Sequence, residues 1–447
     1  MRNLAATTNQ VFMLLILTSA ITNRLRYITD LLIVDILGVK VKLTISADEY
    51  MAYPGPKVLY AKEPVTGGLF IESSALLFEE KIALQETKMS KYDDVTVLFS
   101  SVNPVAAMPF DIFAASFYLV SRYEEYLPHQ RDRYGRFPYT ESIAWKEGFL
   151  NIPVIHKWAE MFGELLLQNF PGLIFSFREY RYIPTIDIDH AYCYRGRTLR
   201  RTIGGIGRDV MHGHFSDVIF RIKVLAGMGK DPYDNYTYIR QVHENFLQTP
   251  LYFILFADEG RNDNNVTVTA ESFHLLLREL DRYQRVGIHP SLSSNKQYSK
   301  LEAEYTSLSR VLKRKVTISR QHFLRLTMPK TYQSLIQLGI SDDYSMGYAA
   351  HPGFRAGIAI PFHFFDLTSN QTTHLVIHPV SLMDVTLKDY LRLSPEESLE
   401  TIRMMIDKIK SVHGEFISLW HNESLGNTGR WKCWRGVYEE MVKLAST

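Results

Sequence analysis

The second half of the chain alternates short apolar runs with amphipathic stretches. The apolar runs predict buried strands, and stretches with apolar residues every three or four positions predict helices. The predicted helices are 233–247, 271–284, 298–312, 331–338 and 395–412, and the predicted strands are 251–256, 286–289, 316–320, 340–344, 375–378 and 416–421. This alternation implies an α/β fold of parallel strands with right-handed crossovers, either a barrel or an open sheet.

The first half is less regular. Short apolar runs separated by Pro and Gly predict strands at 11–17, 39–45, 58–60, 68–71 and 95–99, and helical spacing predicts helices at 24–37, 110–127 and 158–170. This pattern favours a smaller α/β or α+β unit. Pro171-Gly172 ends the last helix, so we expect a boundary near 171–180 and two domains, 1–175 and 176–447.

Composition narrows the possible functions. The chain has 447 residues, 46% hydrophobic and 22% charged, with a net charge of +2. These values are typical of a globular protein and argue against nucleic-acid binding. The densest basic stretch, 195–201, indicates a solvated loop or an aid to anionic substrates. Cys193 and Cys433 fit neither a zinc spacing nor a disulfide framework.

The apolar run at 11–21 bears on localisation. It resembles an export signal weakly, through Arg2 and the small residues Thr18-Ser19-Ala20. Arg24 and Arg26 directly follow it, and about eleven apolar residues are too few to cross a bilayer. We therefore expect a cytoplasmic protein with no integral membrane segment, with an export signal as the alternative.

Candidate chemistry begins at Asp187 and Asp189. In a strand these carboxylates share one face, while Ile186 and Ile188 pack on the other. Two adjacent carboxylates repel each other and lose solvation, a cost that a cation or an arginine between them offsets, so the pair indicates a functional site. The alternative is a polar strand edge with both carboxylates in solvent. His289, Arg320, the pair Asp342-Asp343 and His421 also fall at the ends of predicted strands. Parallel strands gather their carboxyl ends at one edge, so we expect these side chains to meet.

The order of these residues resembles the polysaccharide deacetylases of carbohydrate esterase family 4, the NodB-homology fold. More narrowly, the chain is similar to divergent Bacteroidetes members with an uncharacterised N-terminal domain. The stretches that carry the resemblance are 110–126, Gly287-Ile-His-Pro-Ser291, Ser319-Arg-Gln-His-Phe323 and 343–348 through 353–357. The resemblance implies a distorted (β/α) barrel for the C-terminal domain.

The resemblance also implies roles for individual residues. Asp187 would be the catalytic base, and Arg320 would hold it ionised and oriented. Asp189 and His289 would bind a divalent metal, with zinc expected first and cobalt or nickel as alternatives. His421 would protonate the leaving group. Two further residues complete the set by resemblance: Asp343 would support the acid, and Tyr344 would shape the acetyl pocket. Trp420 is a candidate for contact with sugar, with core packing as its alternative.

The chain departs from the family pattern in two motifs. A second histidine is expected four residues after His289, where Ser293 stands, and Arg320-Gln-His-Phe replaces Arg-x-Pro-aromatic. A catalytic metal usually takes about three protein ligands. His322, His190 or an extra water remain open as the third ligand, and His322 is our choice. His378, also at a strand end, competes with His421 for the acid role.

Together these observations predict a metal-dependent hydrolase that removes acetyl groups from an N- or O-acetylated polysaccharide or sugar intermediate. The alternative is a catalytically impaired relative that binds glycan or a partner in surface-polysaccharide metabolism. The two functions would differ in the metal content of the protein. The absence of a histidine at position 293 is the reason for keeping the second, because it removes a ligand of the family pattern.

Overall fold

The computed structural model describes residues 13–65, 68–258, 260, 263, 265–283 and 285–447. Positions 11 and 12 of the first predicted strand and position 284 of a predicted helix lie outside the described residues. The N-terminal strands are β1 Leu14–Thr18, β2 Val41–Thr44, β3 Lys57–Ala61, β4 Leu69–Glu72, β5 Ser90–Tyr92 and β6 Val95–Val97. The helices are α1 Asn23–Thr29, α2 Ala47–Ala52, α3 Ile112–Val120, α4 Ile143–Lys146 and α5 Val154–Asn169.

Strands β1 to β4 form a parallel sheet in the order β2-β1-β3-β4, and β5 and β6 form a separate antiparallel pair. Side-chain caps start several of the helices. Thr22 accepts from the backbone N–H of Leu25 at 3.0 Å at the start of α1, and Asp111 does the same for Ala114 at the start of α3. The region thus combines helices with a parallel sheet and a separate antiparallel pair, where the sequence left α/β and α+β open.

Helix α3 is shorter than the predicted helix 110–127. It ends at Val120, and Arg122 adopts a left-handed backbone with φ 54°. The buried Arg122 guanidinium forms an ion pair with Glu125 at 2.8 Å, and Glu125 forms a second ion pair with Arg355 at 2.7 Å. Arg355 comes from the C-terminal half, so this buried ion network ties the two halves of the chain together. The end of α3 was not visible in the local pattern because it depends on this distant partner.

The remaining elements are listed in chain order by type. The strands are β7 Arg181–Ile188, β8 Leu251–Ile254, β9 Val286–Ile288, β10 Ile318–Ser319, β11 Asp342–Asp343, β12 Phe362–Asp366, β13 Gln371–Ile377, β14 Leu382–Met383 and β15 Glu415–His421. The helices are α6 Leu199–Met211, α7 Phe215–Leu225, α8 Tyr236–Glu244, α9 Glu271–Tyr283, α10 Tyr298–Leu312, α11 Lys330–Gln337, α12 Pro395–Lys410 and α13 Trp434–Ser446.

These nine strands form one sheet in the order β12-β13-β11-β10-β9-β8-β7-β15-β14. Every pairing is parallel except that of β12 with β13. The predicted α/β class and parallel sheet are confirmed. Within the described residues no pairing joins the end strands β12 and β14, so the sheet is open in its hydrogen bonding where the resemblance implied a barrel.

The apolar core runs through both halves of the chain. Phe365 of β12 packs against Tyr27 of α1 and Phe117 of α3, with ring centroids 5.1 Å apart in each case. The division at residue 175 stays a prediction. Over the part of the chain described here, no helix is long and apolar enough to cross a membrane.

Candidate active site

Strand β7 carries the first two site residues. Ile186 and Ile188 are fully buried on one face, and Asp187, 2% exposed, points the other way. Asp189 follows the last residue of the strand, and its side chain is 20% exposed. The strand lies between β15 and β8, in register with His421 and Phe253 at Asp187. The predicted alternation therefore places both carboxylates at the edge where neighbouring strands end.

Asp187 is held by a fully buried arginine. The Nη1 group of Arg320 donates to Asp187 Oδ1 at 2.8 Å and to Thr185 Oγ1 at 2.6 Å, and its Nε donates to the Tyr344 carbonyl at 2.9 Å. The guanidinium also lies 4.4 Å from the ring centre of Phe253. Because these contacts fix the arginine, Asp187 has one oxygen paired with a cation and the other, Oδ2, directed at His289 at 3.7 Å.

Asp189 lies between two histidines. Its Oδ1 is 3.3 Å from His289 Nε2, and its Oδ2 is 3.3 Å from His322 Nε2. One ligand atom from each of these three residues lies within 4.8 Å of the other two. Burial opposes ionisation of Asp189, but the charge on His322 and the neighbouring histidines hold the pKa of this carboxyl well below its usual range.

The hydrogen-bonding pattern of His289 and Asp189 fits a metal ion. His289 Nδ1 lies 2.6 Å from the Arg320 carbonyl oxygen, which has no hydrogen to give, so Nδ1 carries the proton. In neutral His289, Nε2 then presents a lone pair towards Asp189 Oδ1. Both atoms are buried, and neither has a hydrogen-bond partner among the described residues. Two buried donor atoms that face each other without a hydrogen-bond partner form an arrangement that a bound cation would satisfy.

Asp263 orients the third member of the triad. Its Oδ1 lies 2.9 Å from His322 Nδ1 and accepts the Leu292 backbone N–H at 2.9 Å. Histidines that bind metals commonly donate their other nitrogen to a carboxylate in this way. Although burial opposes protonation of His322, the adjacent Asp189 charge and the bonds to both carboxylates raise its pKa to about 9.

Ser293, which stands where the resemblance implies a histidine, also contacts Asp263. Its hydroxyl lies 3.3 Å from Asp263 Oδ2 and 3.0 Å from Ser291 Oγ. The residue therefore helps to hold the carboxylate behind His322. Of the open candidates for a third ligand, His322 completes the triad, while the ring of His190 stacks beside Tyr233 at 6.3 Å.

His421 lies on the other side of Asp189, with its Nε2 3.8 Å from Asp189 Oδ2. The fully buried Asp384 holds it by accepting both the His421 backbone N–H and Nδ1–H at 2.8 Å. Burial opposes protonation, but the charge and hydrogen bond of Asp384 raise the pKa of His421 to about 10. Sequence reasoning missed Asp384, whose only signal is its place just after the two-residue strand β14.

A cavity of about 370 Å³ is lined by Asp187, Asp189, His289, His322 and His421. Besides the site residues, its wall includes Arg133, Tyr134 and Arg136 from the N-terminal half and Tyr390 and Arg430 from the C-terminal half. No candidate site residue was predicted before Asp187. The turn at 132–136 is thus a contribution of the N-terminal region that sequence reasoning missed.

The turn at 132–136 also contacts Phe323, the residue after His322. Tyr134 stacks on Phe323 with ring centroids 4.8 Å apart and planes 24° apart, and Arg136 Nη1 donates to the Phe323 carbonyl at 3.2 Å. Phe323 has a φ of 61°, a conformation that costs a non-glycine residue free energy unless its surroundings hold it. The contacts of Tyr134 and Arg136 supply that support, so the N-terminal half braces the turn that carries His322.

Three further predicted residues lie outside the cavity wall. Asp343 is fully buried and accepts from Ser319 Oγ at 2.7 Å and the Ser345 N–H at 2.9 Å, whereas the carboxylate that holds His421, the candidate acid, is Asp384. Tyr344 packs in the core, where its carbonyl accepts from Arg320 Nε and its ring centre lies 6.0 Å from the guanidinium. Trp420 is fully buried against Trp434 and Tyr438, so it packs in the core, the alternative given for it, and does not line the cavity. Strand alternation explains this result, because His421 faces the cavity.

His378, the competitor for the acid role, lies elsewhere. Its ring stacks on Tyr344 at 4.3 Å, and its Nε2 lies 3.0 Å from Asp342 Oδ1. It does not line the cavity. The structure therefore brings together Asp187, Asp189, His289, Arg320, His322 and His421, and leaves His378 out.

Comparison with known proteins adds the following. A family described as a family of unknown function (DUF7033) matches residues 14–171. No curated protein matches the chain. Similar solved structures include a Mycobacterium smegmatis protein described as a polysaccharide deacetylase (14% identity, 60% of this chain, 85% of that chain, TM-score 0.40) and Puue allantoinase (9% identity, 60% of this chain, 84% of that chain, TM-score 0.37). Similarity at this level does not assign a function, which has to follow from the side chains of the site.

Proposed function

We propose that the protein is a metal-dependent hydrolase that removes acetyl groups from an N- or O-acetylated polysaccharide or sugar intermediate. The observation that carries the proposal is a pair of buried ligand atoms that lack hydrogen-bond partners in the described part of the chain. They are Asp189 Oδ1 and His289 Nε2, and they lie 3.3 Å apart. A buried carboxylate–arginine pair and a histidine–carboxylate pair flank them. Metal-assisted hydrolysis needs this combination of a cation site and two groups that move protons.

Asp189, His289 and His322 would hold the metal. Two imidazole nitrogens and one carboxylate oxygen suit zinc first, with cobalt or nickel as alternatives. A bound divalent ion supplies Lewis acidity and lowers the pKa of water to about 7. The Arg320 carbonyl and the Asp263 carboxylate keep the two imidazoles turned towards Asp189.

Two residues move protons in the proposed reaction. A water oxygen bonds to the acetyl carbonyl carbon while the bond from that carbon to the sugar nitrogen or oxygen breaks. Asp187 accepts the proton of the water, and Arg320 orients it through Nη1. His421 gives a proton to the departing sugar atom, and Asp384 orients the imidazole through Nδ1. The products are acetate and the deacetylated sugar.

The acetylated sugar as substrate rests on the order of motifs that resembles the polysaccharide deacetylases. The cavity is consistent with that choice. Its volume of about 370 Å³ is at the small end of ligand sites, which suits an acyl group and the sugar ring that carries it. Tyr134 and Tyr390 in its wall offer aromatic faces to a sugar.

The test separates catalysis from metal binding. In the purified full-length protein we expect bound metal by elemental analysis and acetate release from acetylated chito-oligosaccharides. Asp187→Asn should keep the metal and lower acetate release by about 10²–10⁴-fold, the usual contribution of a general base. His322→Gln should lose the metal. His374→Gln, at an exposed histidine of β13, is the matched control and should change neither quantity.

The results also decide between the enzyme and the impaired relative. Acetate release that is unchanged in Asp187→Asn would refute the catalytic assignment. A protein that takes up none of the three metals would refute the metal site and favour a binding role.

A further inference from the structure

Two helices between β7 and β8 expose an apolar surface. Helix α6 is joined to α7 by three residues, and together they form the 199–225 hairpin. The sequence indicated a solvated loop at the start of this region. No residue of α6 is buried, and Val224 is the one buried residue of α7. The hairpin therefore presents most of its side chains to solvent.

The exposed residues follow the helical repeat. In α6 they include Leu199, 74% exposed, with Ile203 and Val210 on the same face. In α7, Phe215 is 61% exposed, and Ile219 and Ile222 share its face. Soluble proteins seldom leave contiguous apolar surface uncovered without a binding role.

The two apolar faces lie on one side of the hairpin. Arg221 of α7 donates to Asp209 of α6 at 2.5 Å, which identifies the faces that meet. Counting about 100° per residue from these contact positions, the centre of the apolar face lies about 100° away in α6 and about 130° away in α7, in the same sense of rotation. Because helices joined by a short turn run antiparallel, the two rotations point to the same side. The hairpin thus offers one combined apolar surface.

This region also concentrates positive charge. Residues 195–230 contain eight arginines and lysines against two aspartates, a net charge of +6, whereas the whole chain carries +2. Arg200 and Lys223 are exposed beside the apolar faces. An amphipathic helix with Ile, Leu and Phe on one face and basic residues around it is typical of attachment to the surface of an anionic membrane.

We propose that the 199–225 hairpin docks the protein on the surface of an anionic lipid membrane. Its helices of 13 and 11 residues are too short to cross a bilayer, so they lie in the interface with their apolar side among the lipid chains. The basic residues contact lipid phosphates. Leu199 follows Asp189 by ten residues, so the hairpin extends from the edge of the sheet that carries the candidate site. This proposal does not depend on the hydrolase activity.

The full-length protein should co-sediment with vesicles of phosphatidylcholine containing about 30% phosphatidylglycerol, and much less with phosphatidylcholine alone. Binding should fall in about 0.5 M NaCl, because salt screens the basic residues. The double variant Ile203→Ser/Ile219→Ser should lower the partition coefficient by about tenfold or more. Arg200→Gln should lower it by roughly fivefold.

Ile45→Ser is the matched control, since Ile45 is an isoleucine of similar exposure outside the hairpin, and it should bind vesicles as the wild type does. Three results would overturn the proposal. They are no sedimentation of the wild type with anionic vesicles, equal binding by Ile203→Ser/Ile219→Ser, and a wild-type dimer that this double variant makes monomeric without any vesicle binding. The last result would assign the surface to a second copy of the chain.

Discussion

Replacing Asp263 tests whether His322 is a working metal ligand without altering any ligand. Asp263 lies behind the imidazole, 2.9 Å from Nδ1, and a second bond to the Leu292 N–H fixes its own position. Partners of this kind typically contribute 10–100-fold to metal affinity, or about 1.4–2.7 kcal/mol. The two substitutions at this position should fall at different points of that range.

Asp263→Asn keeps an oxygen that accepts from Nδ1–H but removes the charge, and a charge-assisted hydrogen bond is about twice as strong as a neutral one. We therefore expect Asp263→Asn near the tenfold end of the range. Asp263→Ala removes the acceptor and leaves the imidazole free to rotate, so we expect it near the hundredfold end. The measurement is competition for zinc between the metal-free protein and a chelating dye.

Asp366→Asn is the control, because Asp366 is similarly buried and accepts from Thr368 and Gln333 away from the site. Its zinc affinity should equal that of the wild type. Wild-type affinity in Asp263→Ala, together with weak binding by His322→Gln, would refute the orienting role of the carboxylate. Wild-type affinity in His322→Gln would refute the third ligand itself.

Two further predictions concern the N-terminal half. Tyr134→Ala removes the stack on Phe323 beside His322, and it should weaken zinc binding about 2- to 12-fold, equivalent to the 0.5–1.5 kcal/mol of an aromatic pair; an unchanged affinity in the dye competition would contradict the bracing role. Burial lowers the pKa of His156 to about 3, so the unfolded state binds a proton below about pH 6.5 that the folded state does not. Wild-type stability to urea should therefore fall by about 1.4 kcal/mol per pH unit more steeply than that of His156→Gln between pH 6 and 4, and equal slopes would contradict this.

Much of the site was predictable because strand geometry is local. Asp187 shares a face with Asp189 by simple alternation, and the ends of parallel strands meet at one edge whatever the loops do. His289, Arg320 and His421 each end a predicted strand, and the structure places the two histidines beside Asp189 and the arginine on Asp187. On β15, Trp420 directly precedes His421, and because successive side chains point to opposite faces it faces away from the cavity.

The supporting carboxylates were not predictable in this way. Asp263 lies in a loop after β8, and Asp384 follows a strand of two residues, so neither position has a repeating pattern around it. Their roles depend on which histidine the folded loop brings near. Helix α6 was missed for a different reason, because Gly204, Gly205 and Gly207 lower helix propensity and conceal its four-residue apolar spacing.

Ser293 shows why a substitution at a motif position does not by itself abolish a site. The resemblance implies a metal-binding histidine there, and its replacement removes one ligand. In the structure the serine hydroxyl instead contacts Asp263, and Asp263 orients His322, which supplies a nitrogen to the same triad. If His322 binds the metal, as we propose, the third ligand comes from the neighbouring loop and Ser293 supports it through Asp263. The turn that carries His322 is held by Tyr134 and Arg136, so the proposed metal site draws on the N-terminal half of the chain as well as the parallel sheet.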